Sequence, residues 1–117
     1  MSDEFCKKFL RDPNTKEVLG WLKGGSGEDF RSLGELATNE ESIALAKEAY
    51  DAGAVEVFAV EIDEYPEGQN TGKLVLKLPD DPEARQRVCA WCGRIAQEQG
   101  FDPEKDTGQS YLFVTLD

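Results

Sequence analysis

Two stretches of the chain, residues 55–62 and 73–78, have the residue pattern of β-strands and are joined by a polar loop. The first is rich in Val, Phe and Ile, and the second places leucine at every second position, as is typical of a half-buried strand. The loop between them, residues 63–72, is acidic and contains proline, glycine and asparagine, so it is predicted to be rich in turns. The pair predicts a hairpin that the other elements must cover.

Each side of this hairpin carries a helix with clear boundary signals. Thr38 and Glu41 form the S/T-x-x-E capping box at the start of the first helix, and Gly53 provides its C-cap. Asp81 is the predicted N-cap of the second helix, and Pro82 is its first residue. Apolar residues at helical spacing in both helices predict one buried face each.

Two further strands complete the predicted fold. Residues 30–36 are predicted to form a strand before the first helix, and residues 111–116 alternate in the strand pattern at the end of the chain. The order from residue 30 is therefore β-α-β-β-α-β. This order predicts an α+β, ferredoxin-like split βαβ fold, an antiparallel sheet with both helices on one face.

The first part of the chain, residues 3–24, is predicted to contain two short helices. Asp12 is the candidate N-cap of the second helix, with Pro13 at its first position. A strand over residues 17–23 is the alternative, and Gly20 in its middle weakens it.

The segment Gly24-Gly25-Ser26-Gly27 is predicted to be a flexible connector. It suggests a division into an N-terminal helical extension, residues 1–27, and a ferredoxin-like domain, residues 28–117. A total of 117 residues is long enough for one modest core.

The charge balance limits the classes of partner. The chain has 24 acidic and 13 basic residues, a formal net charge of −11. Such a field repels phosphate backbones and anionic lipid surfaces, so neither nucleic acid nor a membrane is an expected partner. Solubility is the preferred interpretation of this charge. The sharper hypotheses are attraction to a basic partner and mimicry of a polyanion. The acidic start without an apolar run is unlike a secretory signal, which makes the cytoplasm the expected location.

The three cysteines, Cys6, Cys89 and Cys92, are predicted to be reduced. Cys89 and Cys92 form a CxxC motif, which occurs in redox and zinc sites. The motif lies about two turns inside the predicted helix, where the helix dipole has little effect on a thiol, so structural thiols are preferred over a thiol-redox role. The chain has no histidine, and neither a metal nor a cofactor is predicted.

The loop between residues 63 and 72 contains carboxylates that could bind a cation. The oxygen-bearing side chains are Asp63, Glu64, Glu67 and Asn70. Their spacing lacks the final glutamate of an EF-hand, so a solvated loop is preferred. No pair of carboxylates is singled out for acid–base work, and no catalytic residue is assigned.

The outer face of the predicted sheet is the candidate contact surface. Its members alternate with the core leucines and valines and are Lys73, Val75, Tyr111 and Phe113. Exposed apolar patches of this kind mark interaction sites. The preferred alternative is that the N-terminal segment covers the face with its own apolar side chains, Phe5, Phe9, Leu10, Leu19 and Trp21.

Four short segments resemble a family of short acidic bacterial proteins without an assigned function. The segments are Gly53-Ala54-Val55-Glu56-Val57, Asn70-Thr71-Gly72-Lys73-Leu74, Leu78-Pro79-Asp80 and Gly100-Phe101-Asp102-Pro103. The resemblance covers most of the chain after residue 38. It implies no activity and no functional residue.

Together these patterns predict a non-enzymatic interaction or regulatory module that binds another protein or a second copy of itself. The alternative is a small-molecule-binding protein or an enzyme whose site is built from loops. A deep cleft with convergent polar groups would favour this alternative.

Overall fold

The computed structural model describes residues 3–25 and 29–116, which form an α+β fold with four helices and two sheets. The elements, in chain order, are α1 (Asp3–Leu10), β1 (Lys16–Glu17), α2 (Val18–Lys23), β2 (Phe30–Leu33), α3 (Asn39–Ala52), β3 (Glu56–Ala59), β4 (Asp63–Tyr65), β5 (Gly68–Thr71), β6 (Lys73–Lys77), α4 (Pro82–Glu98) and β7 (Tyr111–Thr115).

The main sheet has the order β1-β3-β6-β7 and is antiparallel throughout. The two strands of the predicted hairpin, β3 and β6, lie at the centre of this sheet, where Val57 pairs with Leu76. The core lies between this sheet and α2, α3 and α4. Its largest fully buried side chains include Leu22, Leu33, Leu74, Leu76, Leu112, Val18, Val57 and Val88.

The second sheet has the order β2-β5-β4, with β2 parallel and β4 antiparallel to β5. The prediction of a loop over residues 63–72 is therefore wrong, since most of it forms the β4–β5 hairpin. Gly68, at φ +154°, is required because a Cβ atom there would lie 1.8 Å from the carbonyl oxygen of Phe30. Asn70 ties the sheet together by donating from Nδ2 to Ser32 Oγ at 3.0 Å and to the Gly34 carbonyl at 2.9 Å.

The ferredoxin-like arrangement is not confirmed, because the strand order differs. That arrangement needs the four predicted strands in one sheet, but β2 lies in the second sheet. The difference arises because β2 pairs with β5, a strand that the sequence pattern does not predict. In the main sheet β6 pairs directly with β7 instead. The strand expected over residues 30–36 is also shorter and ends at Leu33.

The caps predicted at Thr38, Gly53 and Asp81 are confirmed. Thr38 Oγ1 accepts a hydrogen bond from the Glu41 amide at 3.0 Å, and Asp81 Oδ2 accepts one from the Ala84 amide at 2.9 Å. Gly53, at φ +125°, ends α3. These caps depend on a few adjacent residues, which is why the sequence predicts them well.

Two short helices precede β2, as predicted, but the expected cap at Asp12 is wrong. Asp12 accepts from the Asn14 amide within a turn at 2.9 Å. The N-cap of α2 is Glu17, whose carboxylate accepts from the Leu19 amide at 3.0 Å and the Gly20 amide at 2.7 Å. Glu17 is positioned for this because β1 pairs with β3, and the alternative strand over residues 17–23 is wrong beyond its first residue.

The N-terminal segment divides between the two faces of the main sheet. Helix α1 packs on the outer face, whereas Val18, Trp21 and Leu22 of α2 belong to the main core. The expected cover of the outer face by Leu19 and Trp21 is therefore wrong. Ser26 and Gly27 of the predicted connector lie outside the described residues, and a division at residues 27 and 28 stays a prediction.

No helix within residues 3–25 and 29–116 combines the length and the apolar character that crossing a bilayer requires.

Candidate functional site

The structure brings the four predicted contact residues together on the outer face of the main sheet, beneath α1. Val75 is fully buried with Cys6 and Val60. Tyr111 and Phe113 are partly buried against the same cluster. Lys73 forms an ion pair with Glu61. Because α1 occupies this face, its role as a contact surface for a partner stays a prediction.

Three aromatic rings hold α1 on the sheet. The Phe5 ring meets Phe9 and Phe113 edge-on, with centroids 5.2 Å away in both cases. The Phe9 and Phe113 rings are stacked, with centroids 5.4 Å apart and an interplanar angle of 19°. Such pairs contribute about 1 kcal/mol each beyond the area that they bury.

The edge of β7 carries backbone groups that point away from the sheet. The Leu78 amide donates to the Ser110 carbonyl at 2.8 Å, and the Leu116 amide donates to the Gly72 carbonyl at 2.7 Å. Hydrogen-bonded pairs alternate along an antiparallel ladder, so Leu112 and Val114 direct their backbone groups towards β6. The N–H and C=O groups of the intervening residues, Tyr111, Phe113 and Thr115, therefore point outward.

One end of this edge is protected by α1. The Asp3 carboxylate accepts hydrogen bonds from the Ser110 amide at 3.0 Å and from the Tyr111 amide at 3.1 Å. A carboxylate in this position blocks strand pairing at Tyr111. Within the described residues β7 is the last strand of the sheet, so no strand pairs with the outward groups of Phe113 and Thr115.

A groove of about 280 Å³ runs beside these groups, between β7, α4 and the loop that follows α4. Its apolar lining includes Leu112 and Val114 of β7, Cys92 and Ala96 of α4, and Phe101 of the loop. Phe101 is 54% exposed, so it adds a large apolar side chain to the surface of the groove.

The rim of the groove is acidic. Asp102 and Glu104 line its loop side. Together with the net charge of −11, they give the groove a negative field that favours a basic ligand.

The CxxC thiols do not form a reactive pair. Cys92 is buried in the main core and Cys89 packs at its margin, and both are free. Burial raises the pKa of both thiols above the ordinary value of 9.0. They are therefore protonated at neutral pH, in agreement with the structural interpretation.

The carboxylates predicted as possible cation ligands are spread along the second sheet. Asp63 and Glu64 lie in β4, and Glu67 lies in the turn before β5. Among the described residues, no three Asp, Glu, Cys or His side chains converge on one point in a way that would hold a metal ion.

A second cavity, also of about 280 Å³, lies on the outer face of the small sheet. Its lining includes Phe30, Tyr65 and Glu67, with Gly68 between the two rings.

Sequence reasoning missed both the β7 edge and the small-sheet cavity. The alternation of β7 was visible, but its place at the end of the sheet depends on strand order. Phe101 carried a weak signal, as a large apolar residue in a predicted loop. Phe30 and Tyr65 become neighbours only through β5.

Comparison of the chain with protein-family models, with curated proteins and with solved structures gave no match. The resemblance to short acidic bacterial proteins therefore stays a prediction.

Proposed function

We propose that this protein is a non-enzymatic interaction module of the cytoplasm that binds an extended, basic segment of another protein along the edge of β7. The observation that carries this proposal is the row of outward backbone groups on Phe113 and Thr115 beside an apolar groove. Addition of a strand to an exposed edge is a common mode of peptide recognition, in which the main chain provides affinity and pockets provide specificity.

The available edge fits a short segment. Phe113 and Thr115 each offer one donor and one acceptor, so a strand beside them can form up to four backbone hydrogen bonds. Asp3 limits the segment at the Tyr111 end, where its carboxylate occupies the amide. Side chains of the added strand that point towards α4 would enter the apolar groove.

The charge of the chain supports a basic partner over a second copy. Two copies would bring together two chains of net charge −11, and like charge across an interface is unfavourable. A segment with alternating apolar and basic residues would instead fill the groove and meet Asp102 at its rim. The same charge disfavours nucleic acid and anionic membranes. Three free thiols are consistent with a reducing compartment.

Thr115→Pro tests the proposal, because it removes an outward donor without touching the ladder to β6. Proline is tolerated on an edge strand where its missing N–H faces away from the sheet. The matched control is Thr115→Val, which keeps the amide and the β-branched shape. The probe is an amidated seven-residue peptide of alternating lysine and isoleucine, and binding is measured by calorimetry.

We expect the wild-type protein and Thr115→Val to bind this peptide equally, and Thr115→Pro to bind it about tenfold more weakly, the equivalent of about 1.4 kcal/mol. Absence of wild-type binding refutes the basic-segment assignment. Equal binding by Thr115→Pro and Thr115→Val refutes strand addition at the β7 edge. Dimerisation of the protein that Thr115→Pro abolishes would assign the edge to a second copy.

A further inference from the structure

The small sheet presents two aromatic rings on its outer face, away from the β7 edge. Phe30 and Tyr65 both pair with Gly68, from opposite sides. Directly paired residues project to the same face of a sheet. The two rings therefore stand on either side of a glycine, and the residues Phe30 and Tyr65 are 38% and 51% exposed.

The glycine makes a slot between the rings. Position 68 has no side chain that could fill the space between the rings, and glycine is required there because a Cβ atom would overlap the backbone of Phe30. Two strand spacings of about 4.8 Å separate the backbones of Phe30 and Tyr65, about 10 Å in all. Carbon contacts of about 4 Å on each side leave room for a group whose outer atoms lie about 2 Å apart. Methyl groups on one nitrogen have this size.

The surroundings of the slot are negative. Glu67 lines it, and Asp63 projects to the same face through its pairing with Asn70. The described residues that line the slot include no lysine or arginine, and Lys73, which lines the adjoining cavity with Asp63 and Tyr65, forms an ion pair with Glu61. Arg31, the neighbour of Phe30, is turned to the opposite face, where it pairs with Asp29 at 2.7 Å.

We propose that this slot binds a small, free quaternary ammonium compound between Phe30 and Tyr65. The faces of aromatic rings attract cations, and methylated ammonium groups are favoured ligands because they are weakly hydrated. The volume of about 280 Å³ suits one small molecule. This site is independent of the β7 edge and does not rest on the proposed function.

The test is a titration of the isotope-labelled protein with choline chloride at constant ionic strength, followed by NMR. We expect saturable shifts centred on the amides of Phe30, Tyr65 and Gly68. The neutral carbon isostere of choline, dimethylbutanol, should bind at least tenfold more weakly. Equal binding of the isostere, or shifts that never saturate, refutes the proposal.

Substitutions separate the slot from a general effect of exposed apolar groups. Tyr65→Leu keeps the bulk but removes the aromatic face, and should weaken choline binding about tenfold, whereas Tyr65→Phe should retain it. Val55→Ala, at an exposed apolar residue in another part of the fold, is the matched control and should bind as the wild type does. Loss of binding in Val55→Ala, or full binding in Tyr65→Leu, overturns the assignment. Tighter binding of a trimethyl-lysine peptide than of choline would overturn the assignment to a free small molecule.

Discussion

The stacked pair of Phe9 and Phe113 provides the sharpest test of how α1 is held on the main sheet. Substitution of a completely buried phenylalanine by alanine lowers the free energy of unfolding by about 3–5 kcal/mol. Both rings are only partly buried, so each single alanine substitution should lower the free energy of unfolding by about 2 kcal/mol. This is a large fraction of the roughly 5–15 kcal/mol typical of a domain.

The double substitution measures the coupling between the two rings. The Phe9 and Phe113 rings have centroids 5.4 Å apart and planes 19° from parallel. Their interaction should stabilise the folded protein by about 1 kcal/mol. The double variant should therefore lose about 1 kcal/mol less than the sum of the single losses. Equilibrium unfolding in urea gives these values, with Trp21 and Trp91 of the main core as fluorescence reporters.

The control pair is Phe9→Ala with Tyr65→Ala, because Tyr65 lies in the small sheet. Those two losses should add within about 0.5 kcal/mol. Additivity of Phe9 and Phe113 within the same margin would refute the view that the aromatic cluster holds α1 in place. Unequal slopes of the urea dependence would indicate that the variants change the extent of unfolding.

Three further predictions concern local features. Thr38→Ala should lower the free energy of unfolding by about 1 kcal/mol, because Oγ1 caps the Glu41 amide; an unchanged urea midpoint with an unchanged slope contradicts this. Burial raises the pKa of the Cys6 thiol from 9.0 to about 11, so the thiol's contribution to stability is complete below pH 9 and disappears as the pH rises to about 11. The urea midpoint should therefore fall less steeply over this pH range in Cys6→Ala than in the wild type. Parallel plots of urea midpoint against pH for the two proteins contradict the prediction. Burial raises the pKa of Glu17, but hydrogen bonds from the Tyr50 hydroxyl and two backbone amides outweigh this effect and lower the pKa below 4.5. The stability that the Glu17 carboxylate contributes is present above pH 4.5 and is lost as the pH falls. Glu17→Gln should therefore reduce the fall of the melting temperature at acid pH, and an unaltered fall contradicts this.

The features that the sequence predicted are those set by neighbouring residues. The caps at Thr38 and Asp81 each need only a few adjacent positions, and the alternation of β6 and β7 follows from one buried face. The Glu17 cap was missed because it depends on the pairing of β1 with β3.

The strand order could not be predicted because it depends on distant pairing. Phe30 pairs with Gly68 across 38 positions, and the partner strand is polar and contains a glycine, which are features of loops. This one pairing removes β2 from the main sheet. The candidate sites inherit the same difficulty, since the free edge of β7 and the aromatic slot both follow from strand order.

Hydrogen exchange of the β7 amides, followed by NMR with and without the lysine–isoleucine peptide, tests the proposed edge binding most directly. In the free protein the amides of Leu112 and Val114 should exchange slowly, because they face β6, and those of Phe113 and Thr115 should exchange rapidly. At saturating peptide, Phe113 and Thr115 should become protected while Leu112 and Val114 stay slow. Rapid exchange of Phe113 and Thr115 at saturating peptide, or their protection already in the free protein, would contradict strand addition at β7.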